Sequence, residues 1–454
     1  MTVPPKPTSR AEFVSRWQYF KLLRNDILSA QPQRLYRAWM AEFRAPFFRS
    51  YMCNDTSLVE LVLKGRPDDF PKSDRVRKGL MPLLGNSVFV TNGDIWKRQR
   101  RIIDPAFEGG RLHETFSAMW DAGLAAVNRM QDLADGEAID IEAHTSHAAA
   151  DVIFRTLFSI PIEHKVAKGV FNAFRQHQKE QPVLNLGGLL PLPKWMPRFH
   201  SRKTKETAGH IRKLIEQLTS ERMAQINAGT APNDLATKIM TTPDPDTGET
   251  FDSSEMVDQV AIFFLAGHET SASALAWSLY LLALHPEWQD KVAQEAKEKI
   301  GAKRIPFSTV TKMRVARDVF RESMRLYPPV PMMVRQARKA EVFRSRKVPK
   351  GSQIVLSPWH LHRHERLWDQ PDVFDPARFA TPNGKTCLRE AYIPFSTGQR
   401  VCPGSGFAMI EGPLLLSLLV SEYLFEIVPE REPIPQAQLT VRAREGIWLK
   451  VKPR

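Results

Sequence analysis

Cysteine is scarce in this chain, with Cys53, Cys387 and Cys402 alone among 454 residues. The three lie far apart, form no C-x-x-C pair and cannot build an even disulfide framework. That excludes a disulfide-stapled secreted scaffold and reads as a reducing, cytoplasmic setting. No uninterrupted apolar run opens the chain: Arg10, Arg16, Lys21, Arg24 and Asp26 break it long before the ~18 residues that a spanning helix needs. Residues 1–34 therefore read as a flexible leader and a first helix, without export signal or membrane anchor. Repeats and low-complexity tracts are absent. So are a G-x-G-x-x-G after a strand and a G-x-x-x-x-G-K-[ST], and a bound nucleotide is not expected. The formal net charge is +14, yet there is no zinc-finger spacing and no RNA-binding motif, so nucleic acid is not the expected partner. The densest basic run, residues 198–213, has the period of a solvated helix face. Attraction to an acidic protein is the alternative use of the charge.

What is present is apolar residue in quantity, 43% of the chain, enough for a large core. "FFRSYMC" reads as a strand and "TSLVELVLKGR" as a short helix. "MPLLGNSVFVTNG" reads as a turn-rich binding loop. "DIWKRQRRIIDPAF" starts a helix with Asp94 as its N-cap, and helical patterns fill residues 111–175. "QPVLNLGGLLPLPKWMPRF" is an apolar, proline-broken loop with the character of a lid. The longest helix is expected near 253–284, capped by Ser253 or Ser254 and stopped near Pro286. It is apolar almost all round, so it belongs in a core or a membrane. No second spanning segment flanks it, which favours the core. His268, Glu269 and Thr270 stand at its middle. From about residue 325, short β-like runs alternate with Pro- and Gly-rich links. A helix at 405–422 and a final strand pair, "LTVRA" with "GIWLKVK", close the chain. The fold class is thus mainly α with small β-sheets and no βαβ alternation. "WHLHRHERLW" spaces His360, His362 and His364 so that they share a face if extended. A metal site is conceivable there, but a structural role is expected.

Cys402 lies in "PFSTGQRVCPG", immediately before the 405–422 helix. A thiolate at a helix start is favoured by the helix dipole and unpaired amides. Gly398 and Gly404 let the backbone approach something flat, and Arg400 offers a partner for a carboxylate. A haem fits these features, with iron on the thiolate and a propionate on the arginine. The competing reading is an inert buried cysteine. The spacing decides against that reading: Phe395-x-x-Gly398-x-Arg400-x-Cys402-x-Gly404 arises by chance in roughly one chain in ten thousand at average composition. It resembles the haem-binding signature of the cytochrome P450 family.

Four further stretches resemble that family, in its order, over roughly residues 35–450. "AGHET", Ala266 to Thr270, is similar to the acid–alcohol motif of its long central helix. "ESMR" supplies Glu322 and Arg325 at i, i+3, and "FDPARF" supplies Arg378, which in the family joins that pair. "WKRQR" places Trp96 and Arg100 as in the helix that holds haem propionates, and Arg335 is a further propionate partner by the same resemblance. The resemblance implies a single haem domain over residues 35–454, with the long helix over the haem. It implies haem b (iron protoporphyrin IX) ligated by Cys402, O2 as co-substrate, and a ferredoxin-type electron donor with its reductase, since no fused reductase fits. Thr270 would hold water near the distal oxygen, its hydroxyl turned to the carbonyl of Ala266, and Glu269 would relay protons. Lys97, Arg98 and Arg101 would face solvent as a docking surface for an acidic donor. The pocket would draw on residues 83–90, the 181–193 loop, Phe263, Ala266, residues 331–334 and the Gly446–Ile447 turn, suiting a small apolar organic substrate. A peroxide-driven peroxygenase or a non-catalytic haem-thiolate sensor or carrier would need neither Glu269 nor Thr270.

Overall fold

The computed structural model describes residues 2–45, 48–180, 201–300, 304–437 and 439–454. Its organising element is the helix Ser253–Leu284. Asp252 caps it, one residue before the serines expected to: its carboxylate accepts from Glu255 N at 2.8 Å, while Glu255 accepts from Asp252 N at 3.1 Å. Both orphan amides are thus satisfied reciprocally. The next helix, Pro286–Lys299, opens on a proline, where no amide donor is needed. Because Ser253–Leu284 is apolar on every side, it is surrounded. It packs on helices Ile141–Phe158, Arg202–Asn227, Arg314–Leu326 and Ser405–Glu422. Leu279, Leu281 and Leu282 have no exposed surface, each such burial stabilising by about 1.5–3 kcal/mol. A Cβ on Gly267 would stand 2.3 Å from Ile153 Cδ1. Any larger residue there would force the Ile153 side chain to move.

A four-stranded sheet holds Met40–Ala45, Phe48–Cys53, Gln353–Leu356 and Met333–Gln336, in that order. Phe48–Cys53 runs parallel to Gln353–Leu356, and Met333–Gln336 antiparallel to it with Arg335 opposite Ile354. The sheet has its own apolar core, with Tyr51, Cys53, Val62, Leu63, Ile354 and Leu356.

Several local expectations are corrected. Met81–Leu84 end a helix, Asp74–Leu84, and are not loop. The helix Gly93–Ile103 has Asn92 at its cap position and Asp94 in its first turn, where a carboxylate still meets the dipole favourably. The two last strands do not pair with each other. Val441–Ala443 pairs with Pro435–Ala437, while Trp448–Pro453 pairs with Tyr423–Ile427 and Ala138–Asp140. Ile447 between them is buried and its carbonyl accepts from Ile141 N at 2.8 Å, which directs the last strand to the Ala138 side. The leader is docked: Tyr327 Oη donates to Pro5 O at 2.7 Å, and Lys6 pairs with Asp372. The 181–193 loop lies outside the described residues.

The basic run does form a solvated face, with Arg202, Lys203, Lys205 and Lys213 exposed while Ala208 and Ile211 are buried. The histidine triplet lies in the short helix Pro358–Leu361 and the turns after it, so the three rings do not share a strand face. His360 meets Ser357 Oγ at 2.8 Å, His362 Nε2 accepts from Ile393 N at 2.9 Å, and His364 stacks on Trp39. Burial pulls His360 and His362 down to about 3, so both are neutral packing groups. Among the described residues no cluster could hold a metal ion. One described helix, Ser405–Glu422, is long and apolar enough to cross a membrane, and 67% of it is buried inside the protein.

Candidate active site

Cys402 stands three residues before the helix Ser405–Glu422, after a single turn at Gly398–Arg400. Its amide donates to Phe395 O at 2.9 Å, closing the loop. The Gly404 amide hydrogen-bonds the sulfur, and with Arg100 and Lys72 it opposes the burial that raises the thiol's pKa. Gly398 has φ +72°, and a Cβ there would lie 2.1 Å from Leu63 O. The loop can pass under Leu63 only with glycine at that point. The other thiols are different. Cys53 and Cys387 are buried and burial pushes them up to about 12 and about 11, whereas Cys402 is only partly buried.

Four cations gather around this loop. Arg400 lies over the Trp96 ring at 4.1 Å and donates to Thr91 O (3.1 Å) and Asn92 Oδ1 (2.9 Å). Its Nη1 is buried without a hydrogen-bond partner. Arg335 is buried, and its hydrogen bond is a long one, 3.4 Å, to Val334 O. Arg100 donates to Val401 O at 2.9 Å and pairs with Asp104. Lys72 donates to Phe89 O and sits 3.6 Å from the centre of the Phe89 ring. Among the described residues, no carboxylate pairs with Arg400, Arg335 or Lys72. Burial, then Arg335 and Arg100, pulls Arg400 down to about 9, and burial alone pulls Arg335 to about 10. Lys72 is lowered by burial and by Arg335 and Arg400. Buried cations without anions are costly. The cluster therefore fits a ligand that brings two carboxylates beside a thiolate-bound metal, as a haem with its propionates does.

Lys72 is the residue that sequence reasoning missed. It lies in "FPKSD", outside every motif. A backbone bridge to Arg335 brings it in, and so does Asn92, whose side chain accepts from Lys72 N (3.0 Å) and donates to Lys72 O (3.1 Å). That engagement also explains why Asn92 does not cap its own helix. No signal in the sequence marks either contact.

On the central helix, Phe263, Ala266, Gly267, Thr270 and Ser271 keep open surface, while residues 272–283 are all buried. The spacing i, i+3, i+4, i+7, i+8 is one face. Phe107 packs on Phe263 at its end. Thr270 Oγ1 donates to Ala266 O at 2.6 Å, the back-bond expected of it. Ser271 Oγ donates to Glu411 Oε2 at 2.6 Å, which ties this face to the Cys402 helix. Burial pushes Glu411 up to about 8, with Ser271 opposing. Glu269 is turned away and buried, 3.9 Å from Arg442, and its pKa is raised by burial against Arg442. His268, the residue before Glu269, is buried against Phe264 and hydrogen-bonded to Ser146 at 2.7 Å.

Glu322, Arg325 and Arg378 meet as one buried cluster. Arg325 grips Glu322 through Nε (2.8 Å) and Nη2 (2.9 Å), and Arg378 Nε adds a bond at 2.9 Å. The basic face beside Trp96 is not as expected. Arg98 is paired with Glu255 at 2.6 Å and Arg101 with Asp244 at 2.5 Å, because the 244–255 segment folds over that side of the helix. Lys97 keeps a more open position, 3.9 Å from Asp94.

The chain is similar to known proteins over most of its length. A family model described as Cytochrome P450 matches residues 38–451. The chain is 30% identical to a Cyclooctat-9-en-7-ol 5-monooxygenase of Streptomyces melanosporofaciens, over 86% of this chain and 83% of that protein. It is 29% identical to Cytochrome P450 714B3 of Zea mays (91% and 79% covered) and 29% identical to Cytochrome P450 4A10 of Mus musculus (86% and 79%). With the family match spanning nearly the whole chain and the thiol–cation cluster in place, the chain belongs to the cytochrome P450 family and is a haem-dependent monooxygenase.

Proposed function

We propose that this enzyme holds haem b through Cys402 and inserts one oxygen atom from O2 into a small apolar organic substrate, with electrons from a separate ferredoxin-type donor and its reductase. The observation that carries the reading is the assembly of Cys402 with four cations, three of which, Arg400, Arg335 and Lys72, have no carboxylate partner among the described residues. When bound, a thiolate-ligated haem supplies the activation of O2, the thiolate's electron donation favouring O–O cleavage.

The chain's own residues do the rest. Arg400, Arg335, Arg100 and Lys72 would take the two propionates, and the Trp96 ring holds the Arg400 guanidinium in place. The Gly404 amide and the Phe395 carbonyl orient Cys402. Thr270, anchored to Ala266 O, presents a hydroxyl on the open face of the helix, where it can pass or hold a proton. Glu269 relays protons to it from solvent. The face holding Phe263 and Ala266, with Phe107 beside it, supports an apolar substrate, and hydrocarbon-rich terpenoids are the first class to test. The donor's electrostatic attraction rests on the overall charge, since Arg98 and Arg101 are already paired. Unpaired thiols at all three cysteines support a reducing, cytoplasmic location.

The test is spectroscopic. The reduced carbon monoxide adduct of the purified protein is expected to show the strongly red-shifted Soret band of thiolate ligation. Cys402→Ala is expected to abolish it, and Cys53→Ala and Cys387→Ala to leave it unchanged. A band that survives Cys402→Ala sinks the ligand assignment.

A further inference from the structure

The docked leader has a pattern of its own. Residues 2–9 form neither helix nor strand, yet Pro4 and Pro7 are buried while Pro5 and Lys6 between them are partly open. Proline fixes φ at about −65° and holds the residue before it in extended backbone. In "VPPKP" that applies to Val3, Pro4 and Lys6. The segment is thereby preset for the left-handed extended helix of about three residues per turn, in which positions i and i+3 share a face. Pro4 and Pro7 are such a pair.

The surface that receives it is aromatic and carries a carboxylate. Tyr327 Oη donates to Pro5 O at 2.7 Å, Lys6 pairs with Asp372, and Lys6 Nζ lies 5.0 Å from the centre of the Tyr36 ring. Trp359 Nε1 donates to Tyr36 Oη at 2.8 Å, and the Trp359 ring is 6.2 Å from that of Tyr327. Arg363 is 2% exposed, with its guanidinium 3.9 Å from the Trp359 ring and its Nε 3.6 Å from Asp372 Oδ1. Asp372 is therefore held by a buried cation on one side and offers its other oxygen to Lys6. Tyr327 follows the helix Arg314–Leu326, which carries Glu322 and Arg325, and stacks on Trp277 of the central helix at 3.9 Å. The leader thus rests on the junction of two core helices.

We propose that Tyr36, Tyr327, Trp359 and Asp372 form a recognition groove for a proline-rich peptide of the pattern Pro-x-Lys-Pro, filled here by the chain's own leader. A proline-rich extended segment makes no internal hydrogen bonds, so its carbonyls are open to a donor such as the Tyr327 hydroxyl. It is also stiff before it docks, so little conformational entropy is lost, and aromatic-lined grooves suit it. The pairing of Lys6 with Asp372 sets the register and direction. Docking is reversible, makes and breaks no covalent bond, and is independent of the haem chemistry.

The experiment keeps the full chain with its haem. A spin label on Thr2→Cys, an exposed position, follows the leader, and the parent chain treated with the same label is the blank for the native thiols. Lys6→Glu together with Pro7→Gly is expected to free the leader, read as narrowed spectral lines. A fluorescein-labelled peptide of the sequence TVPPKPTS is expected to bind that variant saturably. It is expected to bind the native chain at least about ten-fold more weakly, since the tethered leader competes at high effective concentration. The same peptide with glutamate for lysine is expected to bind neither. A leader that stays immobile in the variant overturns the proposal. So does a freed leader with no saturable binding of the lysine peptide, or equal binding of the lysine and glutamate peptides. Tyr327→Phe keeps the buried ring and loses only the hydroxyl, so it tests the groove with the leader's sequence intact. Its label is expected to become partly mobile, and a spectrum identical to that of the labelled parent overturns the proposal.

Discussion

Replacing Glu322 with alanine isolates what burial does to an ion pair. Glu322 accepts four hydrogen bonds: two from Arg325 (2.8 and 2.9 Å), one from Arg378 (2.9 Å) and one from Asp375 N (3.0 Å). The side chains of Glu322 and Arg325 are 0% exposed and that of Arg378 is 6% exposed. Alanine removes the anion that stands between two buried guanidiniums. Each keeps carbonyl acceptors, His362 and Pro371 for Arg325 and Asp369 and Gln370 for Arg378, with Val373 serving both. Those bonds soften the desolvation but leave two like charges facing each other. Breaking a buried pair costs about 3–5 kcal/mol, and the doubled charge puts this case at the upper end. Against a total stability of about 5–15 kcal/mol, that is a large part of the fold. The control is Glu206→Ala. Glu206 pairs with Arg202 at 2.7 Å across one helical turn, but the two side chains are 59% and 93% exposed, respectively. An exposed pair of this kind contributes at most about 0.5 kcal/mol. Urea unfolding of both variants, followed by far-ultraviolet circular dichroism, gives the comparison. A cost below about 1 kcal/mol for Glu322→Ala, similar to that of Glu206→Ala, refutes the reasoning that burial makes this cluster a determinant of stability.

Thr270→Ala is expected to bind haem and substrate normally yet form less product per electron, with the difference appearing as hydrogen peroxide; an unchanged yield removes Thr270 from the mechanism. Gly398→Ala is expected to lower stability by at least ~2 kcal/mol and to weaken haem retention, since φ is +72° and the new Cβ meets Leu63 O; a melting temperature equal to the wild type's contradicts the close approach. Glu411 titrates at about 8 in the fold against 4.5 when free. The stability its protonated form contributes is full below the lower value and lost as pH rises through the upper one. Glu411→Gln should flatten the fall in unfolding midpoint across that window, and a midpoint that falls as in the wild type places the pH dependence elsewhere.

Much of this molecule is legible in its sequence because local rules and covalent spacing carry it. The bounds of Ser253–Leu284 follow from a largely apolar run closed by Pro286, and those of Ser405–Glu422 from the glycine loop before it. Glu322 and Arg325 are set on one face by the helical period, and Thr270 reaches the carbonyl of Ala266 for the same reason. The cysteine that faces the site is marked by its neighbours two and four residues before it and two after it. These features need nothing from distant parts of the chain.

Other decisions belong to contacts that no spacing encodes. Lys72 joins Arg335 and Arg400 because a bridge and the Asn92 side chain hold three separate segments together. Arg98 and Arg101, whose helical phase points them outward, are claimed by Glu255 and Asp244 from a segment some 150 residues later. The histidine triplet is folded into turns and each ring is packed separately. Glu269 looks toward Arg442 because a strand near the end of the chain is pinned to the central helix. Side chains at fixed helical phase are set by the chain itself, whereas the partner of a charge is whichever opposite charge the packed fold brings within reach, and only the tertiary structure decides that.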